Sequence, residues 1–124
     1  MPDGARGRRY PRMVRVNEVV REVVAEEIER LADGDDRLGL VTVTAVEVDA
    51  DLRRAKVLLS SLAVSAEEAL EEHRVRIQSA ISRQVRLKRT PQLSFSVDPA
   101  VETGERVEEI LRDLQQAEGD DADG

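Results

Sequence analysis

The sequence has no cysteine, one histidine, one phenylalanine and one tyrosine among its 124 residues. Without cysteine there are no disulfides, no thiolate metal sites and no thiol nucleophile. A small disulfide-free chain fits a cytoplasmic location. With aromatics at 2 %, the core must be built from Val, Leu, Ile and Ala around Phe95. No apolar run approaches the roughly 18 residues of a spanning helix, and no apolar stretch follows the N-terminal arginines as a secretory signal requires. A membrane partner is therefore not expected. One histidine provides no His pair for a metal, and no Gly-rich phosphate loop is present. His73, with Glu71 and Glu72 beside it, reads as a surface residue rather than a general base. The expectation is a protein that is not an enzyme, with no catalytic or metal-binding residues, no cofactor and no small-molecule substrate.

Charge is what the chain has in excess. Charged residues reach 36 %, against about 25 % in ordinary soluble domains. The net charge of −7 argues against a simple nucleic-acid binder, but the charges are segregated. Residues 1–15 carry Arg6, Arg8, Arg9, Arg12 and Arg15 against Asp3 alone. Residues 74–89 carry Arg74, Arg76, Arg83, Arg86, Lys88 and Arg89 with no acid, and the last seven residues hold Glu118, Asp120, Asp121 and Asp123. Local field rather than total charge decides whether a polyanion docks. On charge alone, a phosphate-binding face and a set of merely solvated helix surfaces weigh equally.

Residues 1–11, with two Pro, two Gly and three Arg, read as a flexible basic arm. Val16, Val19, Val20, Val23, Val24, Ile28 and Leu31 then recur at steps of three and four, which predicts an amphipathic helix ending at Asp33-Gly34. Leu40 to Val48 is β-branched and alternating, a strand. Its apolar set changes phase near Ala45, which either a bulge or cover on both faces of the strand would explain. After the Asp49-Ala50-Asp51 turn a second strand runs from Ala55 to Leu62, close enough to pair as a hairpin. Ser65 and Glu68 match a capping box, predicting a helix from about Ala66. Its apolar residues, Ala69 and Leu70 and then Ile77, Ala80, Ile81 and Val85, do not join smoothly around His73 to Val75, so a break into two helices is expected there. Thr90-Pro91 closes the helical stretch. Leu93, Phe95 and Val97 form the buried face of a third strand. Val107, Ile110, Leu111 and Leu114 mark a short C-terminal helix packing one stripe on the domain. The chain thus divides into the arm (1–11), one domain (12–115) and a disordered acidic tail (116–124). The fold class is α+β, in the order α-β-β-α-α-β, with a three-stranded sheet covered by helices on one face.

That order is similar to the type II KH arrangement, and several stretches resemble the ribosome-binding factor A family. They are Arg15-Val16-Asn17-Glu18-Val19-Val20-Arg21-Glu22, Asp36 to Thr44, Val46, Val48, Asp51-Leu52, Ala55-Lys56-Val57, Arg86 to Phe95, and Asp98, Gly104, Arg106, Val107, Ile110 and Leu111. The resemblance covers nearly the whole domain. It implies a KH variant without the usual GxxG clamp. It also implies a non-enzymatic factor that binds the immature small ribosomal subunit and its rRNA near the neck. Such a factor assists late maturation and rRNA 5′-end processing, and matters most in the cold. The chain departs from the family at His73-Arg74-Val75, where an Ala-x-Gly kink is usual, and at Asp35-Asp36-Arg37, often Asp-Pro-Arg.

The candidate RNA-binding residues follow from the basic segments. On a helix over 76–86, Arg76 and Arg83 share a face and Arg86 lies one turn on. Arg74 belongs to the same basic run, and Lys88 and Arg89 extend the ridge. Arg8, Arg9, Arg12 and Arg15 form a second basic arm. Guanidinium forks suit phosphate oxygens. Only Tyr10 and Phe95 could stack, and Phe95 reads as buried, so no stacking platform is expected and recognition should run through shape and backbone. The chain is expected to act as a monomer. The alternative is an acidic protein-interaction adaptor that binds no RNA. The tail's opposite charge suggests that it competes with RNA for the ridge.

Overall fold

The computed structural model describes residues 2–101 and 110–115, those before residue 12 as backbone only. A long helix, α1 (Pro2–Ala32), leads through a 3-10 turn at Asp36–Leu38 into β1 (Val43–Val48) and β2 (Arg54–Leu59). Helix α2 (Val64–Gln84) then crosses to β3 (Gln92–Val97). The sheet order is β1-β2-β3; β1 and β2 are antiparallel, β2 and β3 parallel.

The alternation of the strands decides which face is covered. On β2, Ala55, Val57 and Leu59 are buried while Arg54 and Lys56 are exposed. Val20, Val24 and Ile28 of α1 and Leu70, Ile77 and Ile81 of α2 join them in one core. Phe95 is only half-buried at its margin. The expected bulge in β1 is present. Val43 faces Leu59 and Ala45 faces Leu58, so Thr44 is the extra residue and both Val43 and Val46 reach the core. Thr44 Oγ1 lies 2.5 Å from the Asp98 carboxylate, which also accepts from the Ala100 amide at 2.9 Å and caps the turn after β3. These two donors hold the Asp98 carboxyl below its usual range. Asn17 accepts from the Val48 amide at 2.9 Å and Gln78 from the Leu93 amide at 3.0 Å, so each helix grips one strand through a polar clamp.

The structure corrects several expectations. There is one helix where two were expected, so the order is α-β-β-α-β before the C-terminal helical residues. No proline or glycine stands within 64–84. The polar residues in mid-helix meet a polar loop instead of forcing a break, since His73 Nε2 lies 3.1 Å from Asp35 Oδ2. The Ser65 capping box does not form. The helix starts at Val64 with Ala63 at its cap, which leaves Ser65 inside the first turn. Helix α2 also ends before Arg86, because Val85 is extended at φ −120°, ψ 130°. Leu40 is exposed ahead of β1, β2 stops at Leu59, and Val19 is exposed on the flank of its stripe. Residues 99–101 and 110–115 are helical, but Ile110, Leu111 and Leu114 are more than half exposed rather than packed on the domain. Helix α1 begins at Pro2, within the stretch expected as an arm. Val107 and the acidic tail lie outside the described residues.

Candidate nucleic-acid interface

The segment between α2 and β3 sets the geometry of the basic edge. Val85 is extended at φ −120°, ψ 130° and takes the chain out of the helix. Val85 and Leu87 pack against the core, while Arg86 and Lys88 are exposed. Pro91 is fully buried and anchors the far end. The Gln92 amide donates to the Arg53 carbonyl at 2.9 Å, fixing the segment against the β1–β2 turn.

That turn brings a third wall. The Leu52 amide donates to the Asp49 carbonyl and the Asp49 amide to the Arg54 carbonyl, both at 2.9 Å. Leu52 holds φ 62°, the left-handed region that residues with a Cβ rarely occupy. Its side chain packs against the core. Between α1, this turn and the post-helix segment opens a cleft of about 390 Å³. Met13, Val16, Leu52 and Leu87 give it an aliphatic lining, Arg12, Arg86 and Lys88 are its cations, and among the described residues no acidic side chain lines it.

The structure thus brings together Arg12, Arg86 and Lys88, drawn from opposite ends of the domain. Arg15, Arg83 and Arg89 are exposed outside the cleft, with no ion pair among the described residues. Arg74 and Arg76 are differently placed: Arg74 Nε is 3.3 Å from Glu71, and Arg76 Nε is 3.5 Å from the buried carboxylate of Glu27. The mid-helix part of the expected ridge is therefore partly neutralised, and the basic edge moves to the end of α2. The side chains of Arg8 and Arg9 lie outside the described residues.

A second cluster braces the fold where the break was expected. Arg37 reaches Asp35 at 2.7 Å and Glu72 at 2.6 Å, and His73 joins Asp35 from α2. The Arg37 guanidinium, helped by His73, holds the Asp35 carboxyl far below its usual range, and Arg37 lowers Glu72 as well. The arrangement ties the middle of α2 to the loop after α1.

Sequence reasoning had found the cations of the cleft but missed its apolar walls. The alternation Val85-Arg86-Leu87-Lys88 carries that signal once the helix is known to end at Gln84. The conformation of Leu52 left no mark in the sequence. Among the described residues no helix is long and apolar enough to cross a membrane, and no group of three His, Cys, Asp or Glu side chains is placed to hold a metal ion.

Comparison with known proteins agrees with this architecture. The family model described as Ribosome-binding factor A matches residues 12–111. Ribosome-binding factor A of Rubrobacter xylanophilus is 46 % identical over 110 residues, covering 85 % of this chain and 86 % of the relative. The crystal structure of ribosome-binding factor A from Thermus thermophilus superposes with a TM-score of 0.63 at 31 % identity, over 68 % of this chain and 94 % of that one. A homology model of the Thermus thermophilus factor, fitted into the cryo-EM map of a 30S–ribosome-binding factor A complex, gives 0.56 at 33 % identity, over 67 % and 91 %. With a family match across nearly the whole domain and a relative this similar along most of both chains, the protein belongs to the ribosome-binding factor A family.

Proposed function

We propose that this chain is an assembly factor that binds the immature small ribosomal subunit through its rRNA and assists late maturation, including processing of the rRNA 5′ end. It acts as a cytoplasmic monomer and is not an enzyme. One observation carries the reading: Arg12, Arg86 and Lys88 meet at one edge of an acidic protein. Such an edge attracts phosphates while the negative body repels them elsewhere, which orients the approach. Arg15, Arg83 and Arg89 widen the basic surface, Arg8 and Arg9 extend it toward the N-terminus, and Arg74 and Arg76 contribute less because carboxylates already face them. The fitted complex of the Thermus thermophilus factor with 30S supports the choice of partner.

The test is binding to small-subunit precursor RNA at two salt concentrations. Each phosphate that is no longer neutralised should flatten the slope of log affinity against log salt by about 0.7–0.9. Arg12→Glu, Arg86→Glu and Lys88→Glu together should abolish binding with the circular dichroism unchanged, and Arg74→Glu should do little. Affinity indifferent to salt and to the triple reversal would defeat the reading. In cells, the protein should sediment with free small subunits and be absent from intact ribosomes.

A second reading, an acidic adaptor without RNA binding, is favoured by one face of α2, where Val64 lies exposed beside Glu67, Glu68, Glu71 and Glu72. It forecasts no RNA signal at any salt and co-purification with a basic protein.

A further inference from the structure

We infer that the cleft between Arg12, Leu52 and Leu87 seats a single unstacked base of the bound RNA; this rests on the RNA-binding reading above. A purely electrostatic edge needs cations on a convex surface. It does not need a concave aliphatic lining, yet Met13, Val16, Leu52 and Leu87 provide one beneath Arg12, Arg86 and Lys88. The volume of about 390 Å³ lies within the roughly 300–1,000 Å³ of small-ligand pockets.

Leu52 adds an independent observation. A tight turn at φ 62° is relaxed for glycine and strained for leucine. Leucine here keeps an isobutyl group against the core and on the cleft wall, and strain at a residue lining a pocket points to use of that pocket. The charge identifies the occupant. A nucleotide turned out of its helix presents a flat apolar face with a phosphate on either side. The cleft offers apolar walls with cations about them, and among the described residues no lining carboxylate opposes the phosphates. The nearest acid in sequence, Asp51, is turned toward its own loop, where it accepts from the Arg53 amide at 3.1 Å.

Among the described residues no aromatic ring lines the cleft; there the base is held by aliphatic contact and by the guanidinium planes of Arg12 and Arg86, which stack on bases as rings do. None of the four aliphatic side chains has a donor or acceptor, so they give no choice between bases. The selection is for an unpaired nucleotide over a paired one, because pairing holds every base inside the duplex. A bulge, a loop or a strand end therefore satisfies the cleft.

The experiment compares two hairpin RNAs by fluorescence anisotropy with the full chain. One carries a single bulged adenosine. The other carries an abasic nucleotide at the same place, with the same charge and the same flexible backbone. The adenosine hairpin should bind about tenfold more tightly, and Leu52→Ala combined with Leu87→Ala should erase that advantage. Equal affinity for the two hairpins, with a normal salt slope, overturns the base-seating inference and leaves the RNA-binding function standing. Absence of salt-dependent binding to either hairpin overturns both. The abasic comparison uses the unaltered protein, so it decides the matter even if the double variant fails to fold.

Discussion

Replacing Glu27 by leucine should make this protein more stable. Glu27 is 4 % exposed, in line with Val20, Val23, Val24, Ile28 and Leu31 on the core face of α1. Its ion-pair partners among the described residues are Arg30 at 3.6 Å and Arg76 at 3.5 Å. Both distances exceed the roughly 2.7–2.9 Å of a good charge-assisted hydrogen bond. The two arginine side chains are 60 % and 68 % exposed, so water screens them. Each attraction lies between about 1 kcal/mol in water and about 5 kcal/mol at an effective dielectric near 20. Exposure favours the lower end, giving roughly 2–3 kcal/mol for the two attractions together. Removing a carboxylate from water costs several kcal/mol, and a leucine buried in its place contributes about 1.5–3 kcal/mol. Glu27→Leu should therefore gain about 1–3 kcal/mol, read as a higher urea midpoint at unchanged m-value. Each kcal/mol should raise Tm by about 4–8 °C in a domain of this size. The same change releases Arg76 and should steepen the salt dependence of RNA binding by about 0.7–0.9. A variant less stable than the parent by about 1 kcal/mol would refute the reasoning, because the buried carboxylate would then be held by more than two screened partners.

Three further outcomes follow from the geometry. At position 52 the usual order of residues should invert: Leu52→Gly should be more stable than Leu52→Ala by about 1 kcal/mol, because only glycine is relaxed at φ 62°; urea titration of the pair checks it, and alanine the more stable would remove the strain. The Asp35 carboxyl is depressed in the folded state, so its contribution to stability is complete above the ordinary carboxylate pKa of about 4 and is lost as pH falls toward its folded value. The urea midpoint of Asp35→Asn should lie below the parent's at neutral pH and converge with it in acid, whereas parallel curves would contradict the assignment. Deleting residues 118–124 should raise RNA affinity at low salt and change little at high salt; unchanged affinity at low salt would show that the tail does not compete.

Much of this fold was legible because its elements bury one face each. The stripe of α1, the alternation of β2 and the leucine, phenylalanine and valine of β3 all carry their period in the sequence. Even the bulge at Thr44 was visible, since an extra residue must shift the phase of the valines. What could not be read depended on partners far away in the chain. His73 and Arg74 looked like a helix break because their row on α2 is polar; only the loop at Asp35–Arg37 explains how an unbroken helix accommodates them. Arg12 and Arg86 were each visible as basic, yet nothing local says that they meet. Arg76 looked free for the same reason, as its carboxylate partner sits on another helix. The left-handed turn at Leu52 was hidden because leucine gives no warning of it, as a glycine would have.

The parallel pairing of β2 with β3 has a consequence for when the protein becomes able to bind. Parallel neighbours cannot be joined by a tight turn; the whole of α2 must span the sheet before β3 finds its place. Arg86 and Lys88 ride on the stretch just ahead of β3, so they come to rest near Arg12 only when the last strand is seated. A nascent chain halted before Val97 has basic residues but no basic cleft. On the proposed function, recognition and completion of the fold are thus one event, and a half-finished copy should not compete with a finished one for the same partner.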